Sequence, residues 1–174
     1  MLPPVPAVFL TVDGRAGEPD EISVVWSFVV NGNPPQIGIS PGHEHRANEL
    51  VGLHGDFVLN VPTATIVERF DTVDMNSSDV GDKFALAGLT RGRAAAVEAP
   101  TVEECPIHLE CRVFDTVDVP PARTLYLAEV LATRVLPGVV DGSGRLIVDA
   151  VPFFGMTAGS GTSSTGSHLG STVA

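Results

Sequence analysis

The chain has 174 residues, with 21 acidic side chains against 10 basic ones and a formal net charge of −11 at pH 7. The length suits one domain with its own core, and 44% apolar against 18% charged residues excludes a chain disordered throughout. So acidic a balance argues against a nucleic-acid binder or docking on an anionic membrane, both of which need a basic footprint.

In chain order, Val5 to Val12 reads as a first strand, ended by Asp13-Gly14. A breaker-rich turn, D-G-R-A-G-E-P-D, leads to a β-branched and aromatic strand from Ile22 to Val30. Asn31 to Pro35 is a turn by composition, and Gln36 to Ser40 a short third strand. The period then changes. Ala47, Leu50, Val51 and His54 fall at helical spacing, with Gly55 as the stop. Phe57 to Val61 is a strand, and a second helix starts at Pro62-Thr63 with Ile66, Val67, Phe70 and Val73 on one face. Phe84 to Leu89 reads as a short third helix. Val102 to Val119 and Leu125 to Val135 are long strand patterns, and Leu146 to Val148 a last short one. Strands joined mostly by turns disfavour a doubly wound sheet and favour a mainly β fold, an antiparallel barrel with attached helices. Residues 155–174 differ in kind, since 14 of these 20 are Gly, Ser or Thr. The reading divides the chain into a domain over 1–154 and a tail over 155–174.

Several chemistries fail on spacing. No G-x-G-x-x-G follows a strand and no G-x-S-x-G elbow occurs. Gly161 to Gly166 has the glycine spacing of a phosphate loop, but Ser167-His168 follows where Lys-Ser/Thr is required. His43-Glu44-His45 offers two imidazoles without a third ligand, so no metal is expected. Cys105 and Cys111 read as members of one strand, roughly 20 Å apart at ~3.3 Å per residue and beyond disulfide reach. Reduced thiols suit a cytoplasmic protein. The start, Met1 to Pro6, lacks the basic region of a secretory leader, and no stretch approaches the ~20 apolar residues of a membrane helix.

Five segments point to a family. They are V-V-W-S-F-V-V-N-G-N-P-P-Q-I-G-I-S within Pro19 to Ser40, G-D-F-V-L-N-V-P at Gly55 to Pro62, S-S-D-V-G-D-K-F-A-L-A-G-L at Ser77 to Leu89, E-C-P-I-H-L-E-C at Glu104 to Cys111, and T-L-Y-L-A-E-V at Thr124 to Val130. In this order, spread over residues 5 to 150, they resemble the flavin reductase-like family. The resemblance implies a Greek-key-like split β-barrel that binds FMN, or FAD, usually as a homodimer with the flavin near the subunit interface. Members either pass electrons from NAD(P)H to flavin, sometimes supplying a partner monooxygenase, or act as FMN electron carriers.

The resemblance also implies a site. Ser23, Val24, Val25, Trp26 and Ser27 would run beside the isoalloxazine, whose polar edge needs only backbone groups. The phosphate would sit between Ser40 and Asn48, at the start of the first helix, where a helix N-terminus favours anions. Here His45-Arg46 stand where the family commonly has threonine or serine, and Arg46 suits bidentate phosphate contact. Ser77, Lys83 and the adjoining Phe84 match a region that approaches the flavin. Asn60 is a further candidate at a strand end. Each residue also has a plain reading: Trp26 as a sheet aromatic, His43 and His45 as loop residues, Lys83 in a salt bridge with Asp79 or Asp82, Ser77 as a helix cap, Asn60 satisfying backbone groups, His108 as a sheet residue. The tail departs from the family after Phe153-Phe154. Those rings either cover the flavin or anchor the tail to the barrel, and the run beyond them is a lid or an unstructured end.

Overall fold

The computed structural model describes residues 3–148, 151–157 and 163–164. The chain opens with β1 (Pro4–Pro6), β2 (Phe9–Val12), β3 (Glu21–Val24), β4 (Trp26–Gly32) and β5 (Pro35–Ser40). Then come α1 (Arg46–His54), β6 (Asp56–Val61), a 3-10 turn at Ala64–Ile66, α2 (Val67–Met75) and α3 (Lys83–Ala87). A short ladder joins β7 (Arg91–Gly92) to β8 (Thr101–Val102), and a long hairpin joins β9 (Ile107–Val119) to β10 (Arg123–Val135). Last are β11 (Gly155–Thr157) and β12 (Ser163–Ser164), which make a small sheet with β1.

The main sheet has seven strands in the order β3-β2-β6-β9-β10-β5-β4, all paired antiparallel. Its two edge strands, β3 and β4, are separated in the chain by Val25 alone. Edges joined by one residue cannot lie at opposite ends of a flat sheet, so the sheet curls until they meet at the buried Val25. The result is a split β-barrel whose seam is covalent and carries no ladder among the described residues. Two register shifts between β9 and β10 supply local bending.

Two main apolar cores lie on either side of β2, which is buried on both faces, and a third small cluster gathers Val58, Ala94 and Ala99. Leu10 and Val12 point into the barrel with Ile39, Phe57 and Leu59, and α1 closes that end with Ala47, Leu50 and Val51. Phe9 points the other way, to α2 and α3. Its ring lies 5.0 Å from Phe70, which meets Phe154 edge-on at 5.1 Å. This contact anchors the start of the tail. The lid reading of the rest falls largely on residues outside those described.

Most predicted elements stand, with four adjustments. The first predicted strand is two, β1 and β2, with Ala7-Val8 between them. The second is β3 and β4, broken at the seam. The Val102 to Val119 pattern is interrupted by a turn, because Pro106 has no N–H to donate and β9 begins after it. Cys105 therefore lies outside the strand that holds Cys111; both are buried free thiols. Leu146 makes only an isolated bridge to Val140, since Asp141 Oδ1 gathers the Ser143 and Arg145 amides into a tight turn. Among the described residues, no helix is long and apolar enough to cross a membrane.

Candidate functional site

A groove of about 770 Å³ opens between β3, the start of α1 and the far end of α2. β3 is an edge strand paired only with β2, so its outer backbone edge faces away from the ladder, and Ser23 and Val24 line the groove. Val73 and Met75 of α2 complete an apolar wall. The polar end holds His43, His45 and Arg46, with Asn76, Ser77 and Lys83 across from them.

The polar end is positioned from both sides. The Tyr126 hydroxyl of β10 donates to the Asn48 carbonyl at 2.9 Å, which fixes the first turn of α1 on the barrel. His45 is its N-cap residue and makes no side-chain cap bond, so the leading amides of α1 are not taken by that imidazole. His43 is held at the β9–β10 turn, its Nε2 3.0 Å from Asp118. Ser77 accepts from the Asp79 amide at 3.3 Å at the start of a 3-10 turn.

The two cations of the groove have carboxylate partners. Lys83, with its side chain 5% exposed, places Nζ 2.7 Å from Oε1 of Glu21, which is 2% exposed. The expected partners Asp79 and Asp82 do not fill this role. Asp82 caps α3 through the Ala85 amide and pairs with Arg91 at 2.7 Å. That guanidinium holds the Asp82 carboxyl below its usual range, with help from the α3 amides. Arg46 donates to Glu18 at 2.9 Å and to the Pro19 carbonyl at 3.1 Å, and reaches Glu21 at 3.7 Å. A further pair, Arg15 with Glu49 of α1, ties the same loop across the helix start. Lining carboxylates Glu44, Glu49, Asp74 and Asp79 outnumber the lining cations Arg46 and Lys83. Loss of solvent and the neighbouring Asp71 push Asp74 upward, against the pull of His45 and Lys83.

Six of the twelve candidate residues thus line one groove: Ser23, Val24, His45, Arg46, Ser77 and Lys83. The others do not line it. Val25 is the buried seam residue. Trp26 lies beneath the Arg123 guanidinium, 3.7 Å from the ring centre, and pairs across the ladder with Ser40, whose carbonyl Arg123 also reaches. Ser27 sits opposite Ile39. Phe84 is in the second core, with Arg91 over its ring. Asn60 is fully buried in a polar network, accepting from the Val102 amide and His108 Nδ1, both at 2.8 Å, and donating to Thr11. His108 Nε2 in turn faces Arg134 at 3.3 Å. Burial first, and Arg134 second, lower its pKa to about 4, so this histidine is neutral.

Glu18 and Glu21 were not singled out in the sequence, although a signal existed. Glu21 is an acid at the head of the strand that carries Ser23, two residues from it and hence on the same face. A carboxylate so placed is seldom buried without a cation, and the chain has a single lysine.

The groove is compatible with a flavin. Its volume is in the range of ~300–1,000 Å³ common for small-molecule sites. Val24, Val73 and Met75 offer an apolar wall, the open edge of β3 offers backbone groups, and Arg46 at the α1 start offers donors to an anion.

Known proteins with the same fold are numerous. Flavoredoxin from Methanosarcina acetivorans superposes with a TM-score of 0.83 at 23% identity, covering 98% of this chain and 89% of that one. The 2-nitrobenzoate 2-nitroreductase NbaA of Pseudomonas fluorescens superposes at 0.85 and 19% identity, covering 99% and 86%. In sequence, an uncharacterized protein of Archaeoglobus fulgidus is 28% identical over 123 residues, 71% of this chain and 68% of its own length. The model of the flavin reductase like domain matches residues 3–146, the stretch that builds both the barrel and the groove, and the chain belongs to that family.

Proposed function

We propose that the chain binds FMN in the groove between β3, α1 and α2 and works as a flavin-dependent oxidoreductase. NAD(P)H is the proposed reductant, with free flavin or a partner monooxygenase as acceptor. The observation that carries this reading is the junction of an open strand edge, an apolar wall and Arg46 at a helix start within one groove of a flavin reductase-like barrel. FMN, when bound, supplies the hydride-accepting ring system. The chain's part is to bind and align it. Ser23 and Val24 present backbone groups to the polar edge of the ring, Val73 and Met75 cover apolar surface, and Arg46 with the α1 amides takes the phosphate. No side chain serves as a nucleophile. FAD is the alternative occupant, its extra length running out of the groove.

The purified protein is expected to be yellow, to release FMN on denaturation and to consume NAD(P)H steadily when FMN is added. A colourless protein that titrates with neither FMN nor FAD refutes the flavin reading. Flavin bound without NAD(P)H consumption supports an electron carrier instead. A second reading, a family member turned to another small molecule, is favoured by the prior engagement of Arg46 and Lys83 by Glu18 and Glu21.

We propose also that a second copy of the chain completes the molecule. Phe28, Val29 and Val30 on β4 and Phe114, Val117 and Val119 on β9 are exposed large hydrophobics, Val29 at 78%. Apolar surface of this kind marks an interaction face.

A further inference from the structure

We infer that Glu18, which pairs with the groove residue Arg46 from outside the groove lining, is a specificity-determining residue, an internal competitor that a ligand phosphate must displace from Arg46. The inference rests on the flavin reading above and goes beyond it by assigning the selection between phosphorylated and unphosphorylated flavin to one acid. Arg46 has two carboxylate neighbours of different character. Glu21 is 2% exposed, lies 3.7 Å away and is shared with the buried Lys83. Glu18 is 47% exposed, sits on a surface loop and makes the close 2.9 Å contact with Arg46 Nη2.

The two acids therefore have separate tasks. Glu21 is held by two cations in a desolvated place and cannot leave without stranding Lys83. It keeps Arg46 seated at the start of α1. Glu18 is solvated and pairs through an exposed contact, the kind that contributes least. A phosphate carries more charge than a carboxylate and offers more acceptor oxygens to the same fork of donors. It can take the place of Glu18 while Glu21 stays. The loop supports such an exchange, because Arg15–Glu49 and Arg91–Asp20 hold it independently of Glu18. The groove thus selects for a dianionic tail only to the extent that the tail outcompetes Glu18, which lowers the preference for FMN over riboflavin.

The test is titration of FMN and riboflavin, followed by flavin fluorescence, against the wild-type protein, Glu18→Gln and Glu44→Gln. Glu44 lines the same groove without a contact to Arg46, and so reports the general effect of removing one negative charge. The expected result is a two- to fivefold gain in FMN affinity for Glu18→Gln, about the strength of an exposed ion pair. Riboflavin affinity should stay within twofold, and Glu44→Gln should give a smaller FMN gain. Both flavins binding with an unchanged FMN-to-riboflavin ratio in Glu18→Gln, or an equal gain in Glu44→Gln, overturns the role of Glu18 and leaves the flavin site standing. Failure of the wild-type protein to bind either flavin removes both proposals together.

Discussion

Glu21 and Lys83 face each other almost without solvent, 2.7 Å apart. Removing one partner of a buried pair leaves an uncompensated charge, typically at a cost of about 3–5 kcal/mol. Arg46 remains as a second cation near Glu21, so Lys83→Met is expected to destabilise the protein by about 3 kcal/mol, the lower end of that range. Urea unfolding measures it. Arg46→Ala addresses binding directly: FMN affinity should fall by more than riboflavin affinity, because only FMN carries the phosphate. Equal losses in paired titrations would refute the phosphate role. At His108 the sign follows from its lowered pKa of about 4 against an unfolded value of about 6.5. Between these values the unfolded chain binds the extra proton, so this contribution is complete above pH ~6.5 and is lost as pH falls toward 4. His108→Gln should flatten the slope of Tm against pH in that window. Of these residues, Lys83 and Arg46 drew notice in the sequence because they stand at positions that the family resemblance brings to the flavin. Their partners escaped it because Glu18 and Glu21 lie 28 and 62 positions away in pairings that only the fold brings about.

Elements with a clear period were legible. α1 shows Ala47, Leu50 and Val51 on one face and ends where Gly55 adopts φ 72°, its N–H bonding to the Val51 carbonyl. β2 was legible as a strand but not for its role, since a strand buried on both faces has no alternation to say which core each side chain enters. Nor does periodicity reveal that Phe9, Phe70 and Phe154 meet. Phe70→Ala should cost about 3–5 kcal/mol in equilibrium unfolding, as deletion of a fully buried ring does. Gly38 is an instance of an element depending on one absent atom. A Cβ there would overlap the Phe28 ring, which lies against it across the β4–β5 pair. Gly38→Ala is expected to displace Phe28 from the exposed apolar face and lower the thermal midpoint. The cysteines follow from packing as well. Burial pushes both thiols well above their ordinary range, so native protein should resist a thiol reagent that reacts with both after unfolding.

At the scale of the whole molecule, strand count and turn-rich connections indicated an antiparallel barrel, while five short segments identified its kind. Strand order was not legible, because every long-range ladder skips elements in the chain. The seam is the feature that order creates. Ser23 and Val24 line the groove; Phe28, Val29 and Val30 are exposed on β4; one uninterrupted run of backbone joins them through Val25. At ~3.3 Å per residue the step from Val24 to Phe28 spans roughly 13 Å. The run is anchored on each side, by β2 before the seam and by β5 after it. Val29→Asp is therefore expected to shift the protein toward monomer by size-exclusion chromatography and to weaken flavin in the same preparation. On the pairing proposed above, a copy seated against β4 bears on the same stretch of chain that frames the groove, so Val29→Asp tests assembly and ligand binding through one piece of backbone.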